Sequence, residues 1–294
     1  MLTRLTPTII WRWLIPQLVL MVMIYLAITF NWWPQYSKWA PFYRNTASII
    51  AFIVALALHL EIAKEYRRTP LLHFAWLALA ANAGISVIRM ILEGPWLTLI
   101  WSEYDRSLHG LLQHQAIIPA NLALLTGVIA MCLAYHRVGL GFEVTRRDYV
   151  FMAISAVILI ALLVFREGLT EAESPYLAGR YLQQFGLFVL ALIAAVCVLL
   201  HRMAIQMGGG QLANVLRLIT FYAFSRSIIV LFTAVRPVFP AGTKPFLSCL
   251  TEMSWLLVVW LPALAAAYRL QMTVNAAEKL TSLKLRTEAA VLVS

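Results

Sequence analysis

Eight stretches of about 20 predominantly apolar residues, separated by short polar connections, run through this chain. A helix of that length, rising about 1.5 Å per residue, crosses the ~30 Å hydrocarbon core of a bilayer. The alternative spanning structure, a closed barrel, needs segments of about ten residues with alternating polarity, and these are absent. Composition points the same way: 62% of the 294 residues are hydrophobic and 12% charged. A soluble chain has about half and a quarter, so this one cannot cover itself with a water-compatible surface. The fold class expected is all-α, a polytopic integral membrane helical bundle with about eight transmembrane helices.

Hydropathy places the spans at 13–31, 46–63, 71–92, 115–135, 149–166, 181–201, 213–233 and 246–268. Pro16 falls in the first turn of the first span, where the N–H groups have no helical partner and proline is tolerated. The stretch after Met1 lacks a small-residue cleavage site and reads as a retained helix. Cys132, Cys197 and Cys249 each sit inside an apolar run, where they pack as small hydrophobes rather than forming a disulfide framework or a metal site.

The net charge of +10 bears on topology, and no nucleic-acid partner is expected. Of the 23 lysines and arginines, fourteen, among them Arg67, Arg68, Arg146, Arg147, Arg202 and Arg269, fall on one side of the eight spans, eight on the other, and Arg226 within a span. Basic residues are retained on the cytoplasmic side, so the sequence predicts both termini inside, in a multi-pass protein of the inner (plasma) membrane. The outer connection 32–45 is dense in Trp and Tyr, as at a headgroup interface. In the connection 93–114, Asp105, His109 and Gln113 recur at helical spacing and predict a short interfacial helix. Two units are expected, a transmembrane bundle over 1–268 and a cytoplasmic helix or tail over 269–294. The latter lacks Pro and Gly as far as residue 290 and carries a brief apolar stripe of Met272, Ala276, Leu280 and Leu283.

Polar groups at membrane depth are the main functional signal, because an ionised side chain there costs about 2.5–3.5 kcal/mol and needs a partner or a wet cavity. Asn82, Ser86, Arg89 and Glu93 are spaced four, three and four apart, giving one polar stripe on the outer half of the third span. Arg226 lies roughly 10 Å and Glu252 roughly 9 Å below the outer ends of the seventh and eighth spans. A short connection makes these spans neighbours, so the two residues can meet. Asn121 on the fourth span lies at similar depth, with His114 on the same face nearer the rim. One reading is structural, with the charges neutralising each other and Asn and Ser bridging helices. The other is an outward-facing binding pocket formed by Arg89, Arg226, Glu252, Asn121, Ser86, Asn82 and His114, suited to an anionic headgroup or small acid.

No cofactor or metal is expected. His59, His73, His136 and His201 lie near inner ends of spans, a pattern that permits a haem pair, but His136 and His201 each precede Arg and read more simply as helix termini. His109 and His114, five apart, do not share a helical face. Retinal requires a lysine within a span, and all five lysines lie outside the spans. The segment MGGGQL at 207–212 lacks a P-loop lysine and reads as a flexible connector. None of the common catalytic signatures is present, so no catalytic residue is assigned.

These features lead to a sensory or accessory membrane subunit as the first expectation. It binds an anionic or lipid ligand in the outer-half pocket and couples through residues 269–290 to a cytoplasmic or membrane signalling partner. Its layout is analogous to the membrane input half of bacterial sensors, an analogy of architecture alone. The second expectation is a small-anion or lipid transporter using Arg89, Arg226 and Glu252. The third is an enzyme acting on lipid-linked substrates, with Asp105, His109 and His114 as acid/base groups. Membrane lipids are expected partners in each case, and the sequence leaves the oligomeric state open.

Overall fold

A hydrocarbon solvent offers the backbone no hydrogen bonds, so each apolar run satisfies its own N–H and C=O groups as a helix. The computed structural model describes residues 6–29, 36–93, 106–139, 145–154, 157, 177–235 and 244–293, and it is helical nearly throughout. The helices are α1 (Pro7–Thr29), α2 (Tyr36–Glu65), α3 (Pro70–Glu93), α4 (Arg106–Arg137), α5 (described over 146–154), α6 (Leu177–Gln206), α7 (Gln211–Val235) and α8 (Lys244–Val293). Over the described residues six apolar spans are long enough to cross a membrane: Pro7–Ile24, Phe42–Glu65, Pro70–Leu92, Ile118–Arg137, Phe188–Gln206 and Leu250–Lys279. The chain is a helical membrane bundle. The span predicted at 149–166 falls largely outside the described residues, and the one at 213–233 coincides with α7.

Local signals set the helix ends. Thr69 accepts the first helical hydrogen bond, from His73 N, and Pro70 occupies the first helical position, where its missing N–H has no cost. At the start of α5, Thr145 and Asp148 form a capping box: the Asp148 carboxylate accepts from both the N–H and the hydroxyl of Thr145, at 2.8 and 2.6 Å. Between α6 and α7 the chain reverses through Gly208, Gly209 and Gly210, all at positive φ (68°, 128° and 100°). Side chains other than glycine rarely adopt that conformation. Asn214 N then bonds Gly210 O to begin α7.

Three helices begin well before the hydropathy spans. The first starts at Pro7 rather than 13, so Pro16 lies inside α1 and not in its first turn. The second span, read as 46–63, is the apolar part of a helix that starts at Tyr36. Arg44 and Asn45 resemble loop residues in a hydropathy reading, yet lie inside its N-terminal part. His109 and Gln113 lie in the first turns of α4, which runs from Arg106 without a break through Pro119, while Asp105 lies outside the described residues.

Packing neighbours follow the order α2, α3, α4, α6, α7, α8, and α8 returns to α2, so six helices close a ring; α1 lies against α2 and α8. Lipid tails are as apolar as leucine, so helices here associate through close packing rather than a hydrophobic drive. Small residues allow that approach: Ala51, Ala55, Ala75, Ala83 and the run Ala265–Ala267 are all buried. At the tightest seam, between α3 and α4, a Cβ added to Gly127 would stand 3.2 Å from the Ala75 carbonyl oxygen. Trp76, Trp260, Leu58, Leu264 and Met131 fill the core, while Ile15, Val19, Ile88, Leu133 and Phe188 stay exposed on the bundle's outside, where lipid would meet them. Cys132 and Cys197 are free and buried in the same core.

Candidate functional site: two polar clusters at membrane depth

The stripe on α3 meets α7 across the ring. Asn82 is buried, and its Nδ2 donates to the Ala120 carbonyl of α4 at 2.6 Å. Its Oδ1 accepts from the Tyr222 hydroxyl of α7 at 3.0 Å, and that hydroxyl accepts from Arg226 Nη1 at 2.9 Å. In the ring order α3 and α7 stand opposite each other, so this relay of guanidinium, phenol and amide bridges the interior. Arg226 is only 2% exposed. Hydrogen bonds involving a charged group contribute about 1.5–3 kcal/mol each, which offsets much of the cost of holding the guanidinium at that depth.

Beside the relay lie buried polar atoms with no hydrogen-bond partner. Ser86, one helical turn from Asn82, has an unpartnered Oγ, and Asn121, next to Ala120, has neither amide atom partnered. Each such group costs about 1–3 kcal/mol unless something satisfies it. Arg89 is half-buried and engaged by other groups. The side chains of His114 and Glu93 lie outside the described residues.

The carboxylate expected beside Arg226 belongs to a second cluster. Glu252 Oε1 accepts from Arg44 Nη1 at 2.7 Å, so the ion pair joins α8 to α2, and the predicted Arg226–Glu252 pair does not form. The reason is the face of α8 that Glu252 occupies. Trp255, three residues on, points the same way and donates its indole N–H to Ser48 Oγ of α2 at 3.2 Å. Glu252 Oε2 and the neighbouring Asn45 Oδ1 are buried without a partner. Gln17 of α1 completes this side, accepting from Trp260 through its side chain at 3.0 Å and from the Tyr43 hydroxyl through its backbone carbonyl at 3.1 Å.

Comparison of the chain with protein-family models, with curated proteins and with solved structures finds no match.

Of the seven predicted site residues, Asn82 and Arg226 are linked through Tyr222, Ser86 and Asn121 flank them, and Glu252 sits apart with Arg44. Tyr222 and Arg44 are additions to the predicted set. Tyr222 was accessible from sequence, since it precedes Arg226 by four residues and shares its helical face. Arg44 was hidden by its place in an aromatic stretch that resembles a connection.

Among the described residues, no group of three or more His, Cys, Asp or Glu side chains converges as a metal site would require. His59 is buried with its ring 5.4 Å from Trp76, and His73 Nδ1 lies 2.7 Å from the Ala63 carbonyl.

At the other end of α2 and α8 a third set of contacts closes the pair. Arg269 Nε donates to the Tyr66 hydroxyl at 2.8 Å and the guanidinium stands 5.0 Å from that ring's centroid. Arg269 Nη1 donates to Thr273 Oγ1, which in turn donates to Glu65 at 3.1 Å. Glu252 and this clamp lie on one unbroken helix that continues to Val293.

Proposed function

We propose that this protein is a sensory or accessory subunit of the cytoplasmic membrane, with both termini inside. It binds an anionic or lipid-type ligand in the outer half of the bundle and transmits occupancy through α8 to a partner engaged by residues 269–290. The observation that carries the reading is the buried Arg226, hydrogen-bonded to a neutral hydroxyl and flanked by the unpartnered Ser86 and Asn121. An anionic oxygen entering there would gain a charge-assisted hydrogen bond from Arg226 and satisfy groups that otherwise stay unpaired. Orientation follows the excess of basic residues on the side that holds Arg67, Arg146 and Arg202.

Coupling has a mechanical basis in α8, one continuous helix joined to α2 by Arg44–Glu252 at one end and by the Tyr66–Arg269 clamp at the other. A ligand that favours one arrangement of α7 against α8 shifts the population of whatever arrangement the C-terminal segment adopts. One-sided access is favoured over transport by the bulky core residues Trp76, six positions before Asn82 in α3, and Trp260, eight after Glu252 in α8, both on the inner side of the polar clusters.

The test is native mass spectrometry and affinity capture from mild detergent with wild type, Arg226→Ala and a chain ending after Arg269. Wild type is expected to retain an anionic ligand that Arg226→Ala loses, and a partner protein that the truncation loses. Absence of both from wild type, with Arg226→Ala changing only stability, would reduce the relay to a structural bridge.

A further inference from the structure

A groove of about 730 Å³ opens between α6 and α7 at their inner ends, with Asp148 and Phe151 of α5 on its border. That volume lies within the ~300–1,000 Å³ typical of sites for small molecules. Its lining is sorted by depth. Arg202 and His201 on α6 and Arg217 on α7 occupy the end nearest the Gly208–Gly210 turn, which is the inner end of both helices. Further along, toward the middle of the bilayer, the walls are Val198, Cys197 and Ala194 on α6 and Phe221 and Phe224 on α7. Thr220 Oγ1 in the same wall is buried without a partner.

The charges at the mouth do not cancel. Asp148 is the acidic group bordering the groove, and it is committed to Arg202 and to Thr145. This leaves Arg217, exposed and held only by a long 3.4 Å contact to Asn214, with the exposed Arg146 and Arg147 on the turn of chain beside Asp148. His201 is exposed on the same rim. A cationic rim leading into an aromatic and aliphatic trough has the polarity profile of one lipid, with headgroup at the interface and chain in the hydrocarbon. Basic pockets between transmembrane helices on the cytoplasmic side suit anionic headgroups for the same reason.

We infer that this groove is a binding site for one anionic phospholipid of the leaflet on the Arg202–Arg217 side, its phosphate at Arg217 and His201 and one acyl chain along Phe221, Phe224 and Val198. The site shares no residue with the Arg226 relay. Occupancy would brace α7 against α6 and thereby stiffen the helix that presents Tyr222 and Arg226.

The test uses the full chain in nanodiscs made of equal parts phosphatidylglycerol and phosphatidylcholine, released into the gas phase for native mass spectrometry. Wild type is expected to retain one phosphatidylglycerol at least fivefold more often than phosphatidylcholine. Arg217→Gln should reduce that preference severalfold, and Ala194→Phe, which fills the trough and leaves the rim intact, should remove the retained lipid. Arg226→Ala should leave it in place, which separates this site from the outer one. Soluble glycerol phosphate should not compete, because it lacks the chain. Equal retention of the two lipids by wild type would overturn the proposal, as would an unchanged preference in Arg217→Gln, or competition by glycerol phosphate. Arg217 is exposed, so Arg217→Gln is expected to fold and remains informative if Ala194→Phe does not.

Discussion

Arg44 and Glu252, separated by 208 positions in the chain, meet at 2.7 Å and tie the N-terminal part of α2 to that of α8. The two helices run in the same direction, and the Tyr66–Arg269 contact closes the pair again at the C-terminal end of α2. A helix pair fastened at two levels resists sliding and splaying but can still bend between its ties. That matters where Pro262 interrupts the hydrogen-bond ladder of α8.

Charge reversal tests the outer tie. Arg44→Glu and Glu252→Arg should each lower the thermal midpoint in detergent, and the double exchange should recover part of the loss. Arg44 is 38% exposed at its side chain, so the coupling measured by a double-mutant cycle should be modest, about 1 kcal/mol or less. An additive double mutant would mean that the pair contributes nothing to packing.

Tyr222→Phe should destabilise the bundle more than an ordinary loss of one hydroxyl. The phenol both donates to Asn82 and accepts from Arg226, so its removal leaves an amide oxygen and a guanidinium unpaired in a buried site. A cost of about 1–3 kcal/mol is expected, read from denaturant unfolding in mixed micelles. Tyr222→Phe combined with Arg226→Leu should recover some of it, because no buried charge then remains at that position.

Gly127→Ala should cost about 1–3 kcal/mol through overpacking, since the new methyl presses on the backbone carbonyl of Ala75 and on Leu79. Gly84→Ala is the control. Its Cβ would meet only Leu56 methyls at 3.8 Å, and it should be neutral or slightly stabilising through helix propensity. Thermal midpoints of the two variants, measured side by side, settle the comparison.

At the start of α5, the Thr145 hydroxyl, and beyond it Arg202, hold the Asp148 carboxyl below its ordinary value. A group whose folded-state value is depressed contributes stability above its unfolded value and loses it as pH falls through the folded one. The α5–α6 junction should therefore be stable at neutral pH and loosen progressively below about pH 4. Asp148→Asn should be looser at neutral pH and show less change over that acid range. Hydrogen exchange of amides 145–150 between pH 3 and pH 7, corrected for intrinsic rates, reads both effects.

The helices were legible in the sequence because hydrocarbon enforces one solution on any apolar run of that length. The α3 stripe was legible too, since helical spacing alone places Asn82 and Ser86 on one face. The partner of Glu252 was not, because it depends on which side of α8 faces α2, and that follows from the closure of the ring rather than from any local pattern. The start of α2 was misplaced for a related reason. Arg44 and Asn45 look like loop residues until Glu252 supplies a reason for them to lie within a helix.

The three glycines between α6 and α7 decide which residues this turn admits. A Cβ at any of Gly208, Gly209 or Gly210 would meet nothing within 4 Å, so their requirement is one of handedness and not of space, and a mirror-image residue would serve where an ordinary one strains. So short a reversal also fixes α6 and α7 as antiparallel neighbours, and it sets the segment bearing Arg226 beside a helix whose apolar stretch Phe188–Gln206 holds a single arginine, Arg202.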